Sequence, residues 1–224
     1  MLFIVSTPIG NPDDITVRAL RTLGEATAVV CEERRIGSRL LHTYQLENEI
    51  VDLNEHTERE RIPELIERLK RGETLALISD HGTPLLADPG ARFTERAIAE
   101  GIPVSAVPGT SSLLAALVIS GLPMDQFRFA GMLPVKTEAR RAALGKLSHE
   151  RHTWVVLDAP YRLAAVLEDM RTAVGANRQV VVACELTRPT EKVVRGAAGQ
   201  VVEHFRIHPF KGEFVIVVAG KGNT

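Results

Sequence analysis

Aromatic residues are scarce in this sequence, at 4% of 224. Few side chains are therefore on hand to stack with nucleic-acid bases. An excess of one charge sign is also missing: Lys and Arg number 27 against 28 Asp and Glu, for a formal net charge of −1. This excludes nucleic-acid binding by bulk electrostatics and leaves only a local basic face for that role. There are two cysteines, Cys31 and Cys184, each inside an apolar strand-like run. They read as buried free thiols, with no disulfide framework and no metal-ligand spacing, so no metal is expected. No apolar run is long enough to span a bilayer, and residues 1–6 lack the basic leader of a signal peptide. A cytoplasmic protein without membrane association is expected. Neither G-x-G-x-x-G nor G-x-x-x-x-G-K-S/T occurs, which removes support for a dinucleotide site or a P-loop. Internal repeats and low-complexity segments are absent too.

What is present is ordinary globular material, 45% hydrophobic and 25% charged, enough for one large domain or two small ones. Short continuous apolar runs at 2–5, 26–31, 49–53, 74–78 and 104–107 read as buried strands. Helical patterns stand between them: from Thr16, with Val17, Leu20 and Leu23 on one face, then at 38–44, 61–70 and 91–100, with an apolar helix at 111–120. Alternation of this kind argues for a mostly parallel sheet with helices on both faces. Gly121-Leu122-Pro123 interrupts it, and a boundary there divides the chain into an N-terminal α/β domain, 1–122, and a C-terminal one, 123–224. In the second half, strands are expected at 127–130, 153–157, 179–184, 192–195 and 214–218, with helices at 137–148, 161–171 and 197–204. Two strands follow each other without a helix around 186–192, so this sheet should be mixed.

Three glycine- and proline-containing loops follow strands of the first half: 7–11, 80–84 and 108–112. The middle one belongs to the stretch "SDHGTPLLADPG", residues 79–90. In an open parallel sheet such loops gather at the carboxyl edge, where ligands bind. Glycine lets backbone approach a ligand or adopt positive φ, and small hydroxyl residues cap helices or meet a ligand carboxylate. Any one loop reads as a turn; three at one edge point to a nucleotide-like ligand.

Seven segments carry a resemblance, in order along nearly the whole chain. "VSTPIGNPDDIT" (5–16) resembles the opening loop of the tetrapyrrole-methylase superfamily. "SDHGTPLLADPG" is similar to S-D-A-G-T-P-x-[IL]-[SA]-D-P-G, and "VPGTSSLLAAL" (107–117) to a P-G-P-S-A segment, of its ribosomal RNA small-subunit methyltransferase I family. "GMLPVK" (131–136), "LDAPYR" (157–162), "ELTRPTEKVVRG" (185–196) and "KGEFVIVVAG" (211–220) resemble later motifs of that family. The resemblance implies two α/β domains of tetrapyrrole methylase type, S-adenosylmethionine as cofactor in a cleft between them, and a homodimer. It implies 2′-O-methylation of a cytidine ribose in small-subunit ribosomal RNA. Carried over as cofactor contacts are Asp80, Gly82, Thr83, Pro84 and Leu86 of the quoted loop, Pro8 and Gly10 beneath it, and Ser111 and Ser112 at the amino-acid end. Leu133, Leu157, Leu186 and Glu213 would close over the cofactor from the second domain.

Several positions depart from the family pattern. Cys31-Glu32-Glu33-Arg34-Arg35 stands where the family has A-E-D-T-R, so only Glu32 and Arg35 match. His81 replaces an alanine, Asp158-Ala159 replaces Glu-Ser, and Tyr161 replaces His. The sequence stops at Thr224, short of the C-terminal segment that typical members carry. Methyl transfer to a ribose hydroxyl needs alignment, exclusion of water and a nearby base. Glu32, Glu33, Asp80 and His81 are candidates. Glu32 ends a strand on the ligand edge, and two roles stand open for it: that base, or a salt bridge to Arg34 or Arg35, with Arg35 placing a phosphate in the first case. His81 reads as a base, a substrate contact or a plain exposed loop residue. His56 in "NEHTERER" (54–61) lacks H-E-x-x-H spacing and reads as loop and helix start. Lys136, Arg140 and Arg141 fall on roughly one helix face, with Lys146 and Arg151 near it, either solvated or contacting RNA phosphates, and Arg162 would extend that surface. Three functions remain compatible: an RNA 2′-O-methyltransferase, a methyltransferase of a tetrapyrrole-like or other small substrate, and a non-catalytic cofactor- or RNA-binding protein.

Overall fold

A computed structural model describes residues 1–222. By its internal contacts the chain divides into two units, Met1–Ser111 and Ser112–Thr224, with residues 223 and 224 outside the described ones.

The first unit alternates β1 (Leu2–Val5), α1 (Val17–Glu25), β2 (Ala28–Cys31), α2 (Arg34–Thr43), β3 (Glu49–Asp52), α3 (Glu58–Lys70), β4 (Leu75–Ile78), α4 (Ala91–Ala99) and β5 (Val104–Val107). All five strands are parallel, in the order β3-β2-β4-β1-β5. Successive side chains of a strand point to opposite faces. Leu2, Val30, Leu75 and Leu77 thus pack with Phe93 on one side, and Val5, Val29, Ala76 and Ile78 with Leu23 on the other. Buried on both faces, these strands read as continuous apolar runs. Thr16 caps α1 by accepting the Ala19 N–H at 3.0 Å. Within α1 the buried stripe is Ala19, Thr22 and Leu23, whereas Val17, expected on the apolar face, is 75% exposed.

The second unit runs α5 (Ser112–Ser120), β6 (Phe127–Met132), α6 (Thr137–Leu147), β7 (Thr153–Leu157), a 3-10 turn (Pro160–Arg162), α7 (Leu163–Val174), β8 (Gln179–Cys184), β9 (Lys192–Ala197), α8 (Ala198–Ile207) and β10 (Phe214–Val218). Its sheet is ordered β6-β7-β10-β8-β9; β6 and β7 are parallel and the remaining pairs antiparallel, as a mixed sheet requires. Trp154, Leu144, Leu163, Met170 and Ile216 fill its core.

The division falls before α5 rather than after Leu122. Helix α5 packs on β7, β8 and β10, and the Arg195 guanidinium donates to the Ile119 carbonyl at 2.5 Å. Its nearly all-apolar sequence, SLLAALVIS, gives no sequence signal of which sheet it will cover.

Candidate active site

Strands β4, β1 and β5 are neighbours, so the loops that leave their carboxyl ends lie side by side. Thr7, 1% exposed, ties the three together. Its N–H donates to the Gly82 carbonyl at 2.9 Å, and its Oγ1 accepts the Gly82 N–H at 3.1 Å and donates to the Ser79 carbonyl at 3.1 Å. The Thr110 hydroxyl in turn donates to the Thr7 carbonyl at 2.5 Å. A second link runs from the Ser6 hydroxyl to Thr83 Oγ1 at 3.4 Å, and from there to the Thr110 carbonyl at 2.9 Å. Gly82 has φ +85°, the left-handed conformation that lets both its backbone groups turn to Thr7. Gly109 allows a close approach of a different kind, since a Cβ there would lie 2.9 Å from Ser6 Cβ. Leu85 holds φ +71° without being glycine, a strain maintained by its packing under the loop. Pro84 is buried, Pro8, Gly10, Thr83, Asp80, Ser111 and Ser112 are half-buried, and Leu86 is exposed.

Strand β2 lies next to β4, which brings Glu32 to the same edge as Asp80. The Asp80 carboxylate accepts the Glu33 N–H at 3.4 Å. Arg34 donates to the Ile50 carbonyl at 2.8 Å, and Arg35, exposed, reaches Glu33 at 3.3 Å. Neither guanidinium pairs with Glu32, so the salt-bridge role open in the sequence is not the one adopted. Burial pushes the Glu32 carboxyl up to about 6, helped by the charges of Asp80, Asp88, Glu55 and Glu33. Burial likewise raises Asp80 and Asp88 above the ordinary carboxylate range. The edge thus holds partly desolvated carboxylates short of cations. His81, with its backbone fixed by Ser79 Oγ, is exposed beside them.

In the second unit the register gathers four residues singled out by the resemblance. Met132 pairs with Leu157, Leu157 with Val215, and Phe214 with Cys184. Leu133, Leu157, Leu186 and Glu213 therefore lie at one edge of that sheet. Leu186 is buried between Glu185 (φ +49°) and Thr187 (φ +66°), an unusual conformation for two non-glycine residues. The Glu185 carboxylate braces the turn by accepting the Glu213 N–H at 2.8 Å and pairing with Arg188 at 2.8 Å.

Two expected substrate contacts are corrected. Arg140 is 6% exposed and points inward: it pairs with Asp169 at 2.7 Å and donates to the Val135 carbonyl at 3.1 Å. Arg162, 8% exposed, pairs with Asp158 at 2.9 Å and donates to the carbonyls of Leu133 at 3.0 Å and Pro134 at 2.6 Å. Both guanidiniums are consumed by the interior and leave nothing for a phosphate. Arg141 is exposed but tethered to the other oxygen of Asp169 at 2.7 Å, while Lys136 is exposed with no ion pair among the described residues. Sequence reasoning quoted Thr7 and Thr110 without assigning them a role. The repeated Thr-Pro at 7–8 and 83–84 is the one signal that could have marked Thr7. Among the described residues no His, Cys, Asp and Glu group could hold a metal, and no helix is long and apolar enough to cross a membrane.

An all-parallel α/β unit with laced loops at its carboxyl edge, joined to a mixed-sheet α/β unit, defines the tetrapyrrole methylase class of fold. Residues 1–202 match the family model described as Tetrapyrrole (Corrin/Porphyrin) Methylases. The chain is 39% identical over 221 residues to "Ribosomal RNA small subunit methyltransferase I" of Halalkalibacterium halodurans, covering 99% of this chain and 76% of that one. It is 38% identical to the protein of the same name from Thermotoga maritima, covering 98% of each. Among solved structures, "Uroporphyrin-III C-methyl transferase from Thermus thermophilus complexed with S-adenyl homocysteine" superposes with a TM-score of 0.67 at 21% identity, covering 97% of this chain and 96% of that one. The chain belongs to the tetrapyrrole methylases and, within them, to the ribosomal RNA small subunit methyltransferase I family. It is a methyltransferase that takes S-adenosylmethionine.

Proposed function

We propose that this methyltransferase acts on small-subunit ribosomal RNA and methylates the 2′-hydroxyl of a cytidine ribose, working in the cytoplasm as a homodimer. The substrate reading rests on the relatives' names over nearly the full chain. The chemical reading rests on one observation: Glu32 is a half-buried carboxylate without a cation partner among the described residues, at the edge where the Thr7-laced loops converge.

The residues fit the cofactor electrostatically, because a sulfonium and an ammonium group relieve the Asp80 and Asp88 carboxylates, which burial has raised. S-adenosylmethionine supplies an activated methyl group. The loop residues Asp80, Gly82, Thr83, Pro84 and Leu86 hold it, with Pro8 and Gly10 below and Ser111 and Ser112 at its amino-acid end. The resemblance adds Leu133, Leu157, Leu186 and Glu213 as further cofactor contacts. Glu32 orients the ribose hydroxyl and accepts its proton, a role that a carboxyl raised to about 6 fills better than an ordinary one. Arg35, exposed beside it, pairs with a neighbouring phosphate in place of Glu33.

The test is methylation of purified small ribosomal subunits lacking the modification, followed by nucleoside mass spectrometry. A 2′-O-methylcytidine product supports the reading. A methylated base, or no product while a tetrapyrrole is methylated, overturns it.

A further inference from the structure

We propose that Tyr161 is a stacking platform for an unpaired base of the RNA substrate, set in place by the buried guanidinium next to it. The proposal rests on the ribosomal RNA reading above.

Tyr161 is 77% exposed, in a protein whose Trp154 is wholly buried and whose aromatic residues are few. An isolated exposed tyrosine needs no explanation; this one is unusual in what holds it. It lies in the 3-10 turn Pro160–Arg162, directly beyond the carboxyl end of β7, with Pro160 fixing the first position. Arg162, the next residue, faces inward and grips the carbonyls of Leu133 and Pro134, and the buried Asp158 neutralises it. Arg140 holds the following carbonyl, Val135, and is neutralised by Asp169. Two buried ion pairs thus fasten three successive carbonyls of the loop after β6 and dock the Tyr161 turn against it. Such a scaffold is costly to build from desolvated charges. It makes sense where the exposed tip must be rigid.

That tip carries Met132 (50% exposed), Val135 (74%) and Tyr161, with Lys136 next in sequence. An apolar and aromatic tip with a free ammonium beside it matches the two needs of single-stranded nucleic acid, a stacking surface and a backbone cation. At the carboxylate-rich edge of the first unit Arg35 is the phosphate contact named above, and a stacking surface for a base has to come from elsewhere in the chain. The core of a protein interface would instead be depleted in charge. A tyrosine fixed in advance also loses little conformational freedom when a base settles on it. The tip stands at the same sheet edge as Leu133 and Leu157.

The full chain should be tested as Tyr161→Ala and Tyr161→Phe. Binding of a short single-stranded RNA is read by fluorescence anisotropy, S-adenosylmethionine binding by calorimetry, and oligomeric state by sedimentation velocity. Tyr161→Ala should weaken RNA binding about tenfold or more. Tyr161→Phe should bind as the parent does, and both variants should keep the parent's cofactor affinity, melting temperature and sedimentation coefficient. RNA affinity unchanged in Tyr161→Ala overturns the proposal. A shift to smaller species in Tyr161→Ala overturns it in favour of a contact between two copies of the chain. A parent protein that methylates ribosomal RNA while Tyr161→Ala does so with unchanged KM refutes stacking alone. A parent that neither binds nor methylates RNA removes the substrate reading, and the proposal with it.

Discussion

Thr7 and Gly82 are joined twice, backbone to backbone at 2.9 Å and Gly82 N–H to Thr7 Oγ1 at 3.1 Å. The pair locks the loop after β4 to the loop after β1. Thr7→Val keeps the shape but removes the oxygen that serves Gly82 and Ser79, leaving a buried N–H and carbonyl unmatched. Each such group costs about 1–3 kcal/mol. Denaturant unfolding should show the loss, and calorimetry should show weaker S-adenosylmethionine binding. Thr7→Ser should recover most of both.

Glu32→Gln preserves shape and removes the base. Single-turnover methylation should fall by about a hundredfold to ten-thousandfold, with cofactor affinity close to the parent's. A parent-like rate in the variant would leave Glu32 without a catalytic role.

The same residue makes a stability prediction with a definite sign. Burial pushes the folded Glu32 carboxyl up to about 6, from the 4.5 of an unperturbed glutamate, so the fold binds its proton more tightly than the unfolded chain does. Stability contributed by this group is present at low pH and is lost as pH rises from about 4.5 through about 6. Glu32→Gln, which is never charged, should therefore melt at a higher temperature than the parent at pH 8. The difference should shrink to nothing below pH 4. Thermal melts across that range check it.

Arg140 and Lys136 should separate cleanly. Arg140→Ala strands Asp169 in the interior and should cost about 3–5 kcal/mol of stability, although Arg141 retains one oxygen of that carboxylate. Lys136→Ala should leave stability unchanged and reduce the salt dependence of RNA binding by about one counterion. Chemical denaturation and RNA titrations at several salt concentrations distinguish the two.

Strands β2, β4, β7, β8 and β10 were legible because burial on two faces writes itself as short apolar runs, and the antiparallel β8–β9 pair was legible from a missing helix. Helix α2 was not fully legible. The sequence reading starts it at Ser38, whereas it begins at Arg34. Gly37 is inside the helix because a Cβ there would lie 2.7 Å from Cys31 Sγ, so the glycine brings helix and strand together. Helix α3 starts at Glu58 rather than Arg61, after a turn in which Asn54 Oδ1 accepts the N–H groups of His56 and Thr57. Side-chain direction was the least legible property. The spacing 136, 140, 141 suggests one solvent-facing group, yet Arg140 turns inward to an aspartate 29 residues away. Pairings at that separation leave no trace in local pattern. The same holds for Thr7, whose partners lie 72, 75 and 103 residues along the chain.

The strand order of the first unit also sets a timetable for synthesis. Strand β1 pairs only with β4 and β5, and β2 waits for β3 and β4. At about 5–20 residues per second, roughly 4–15 s separate translation of β1 from that of β4. For that interval an apolar strand that is destined for the middle of the sheet has no native neighbour to bind. The central seat that later lets β1 hold the loops of β4 and β5 together thus makes the nascent first unit dependent on protection from aggregation, and its folding slow for its size.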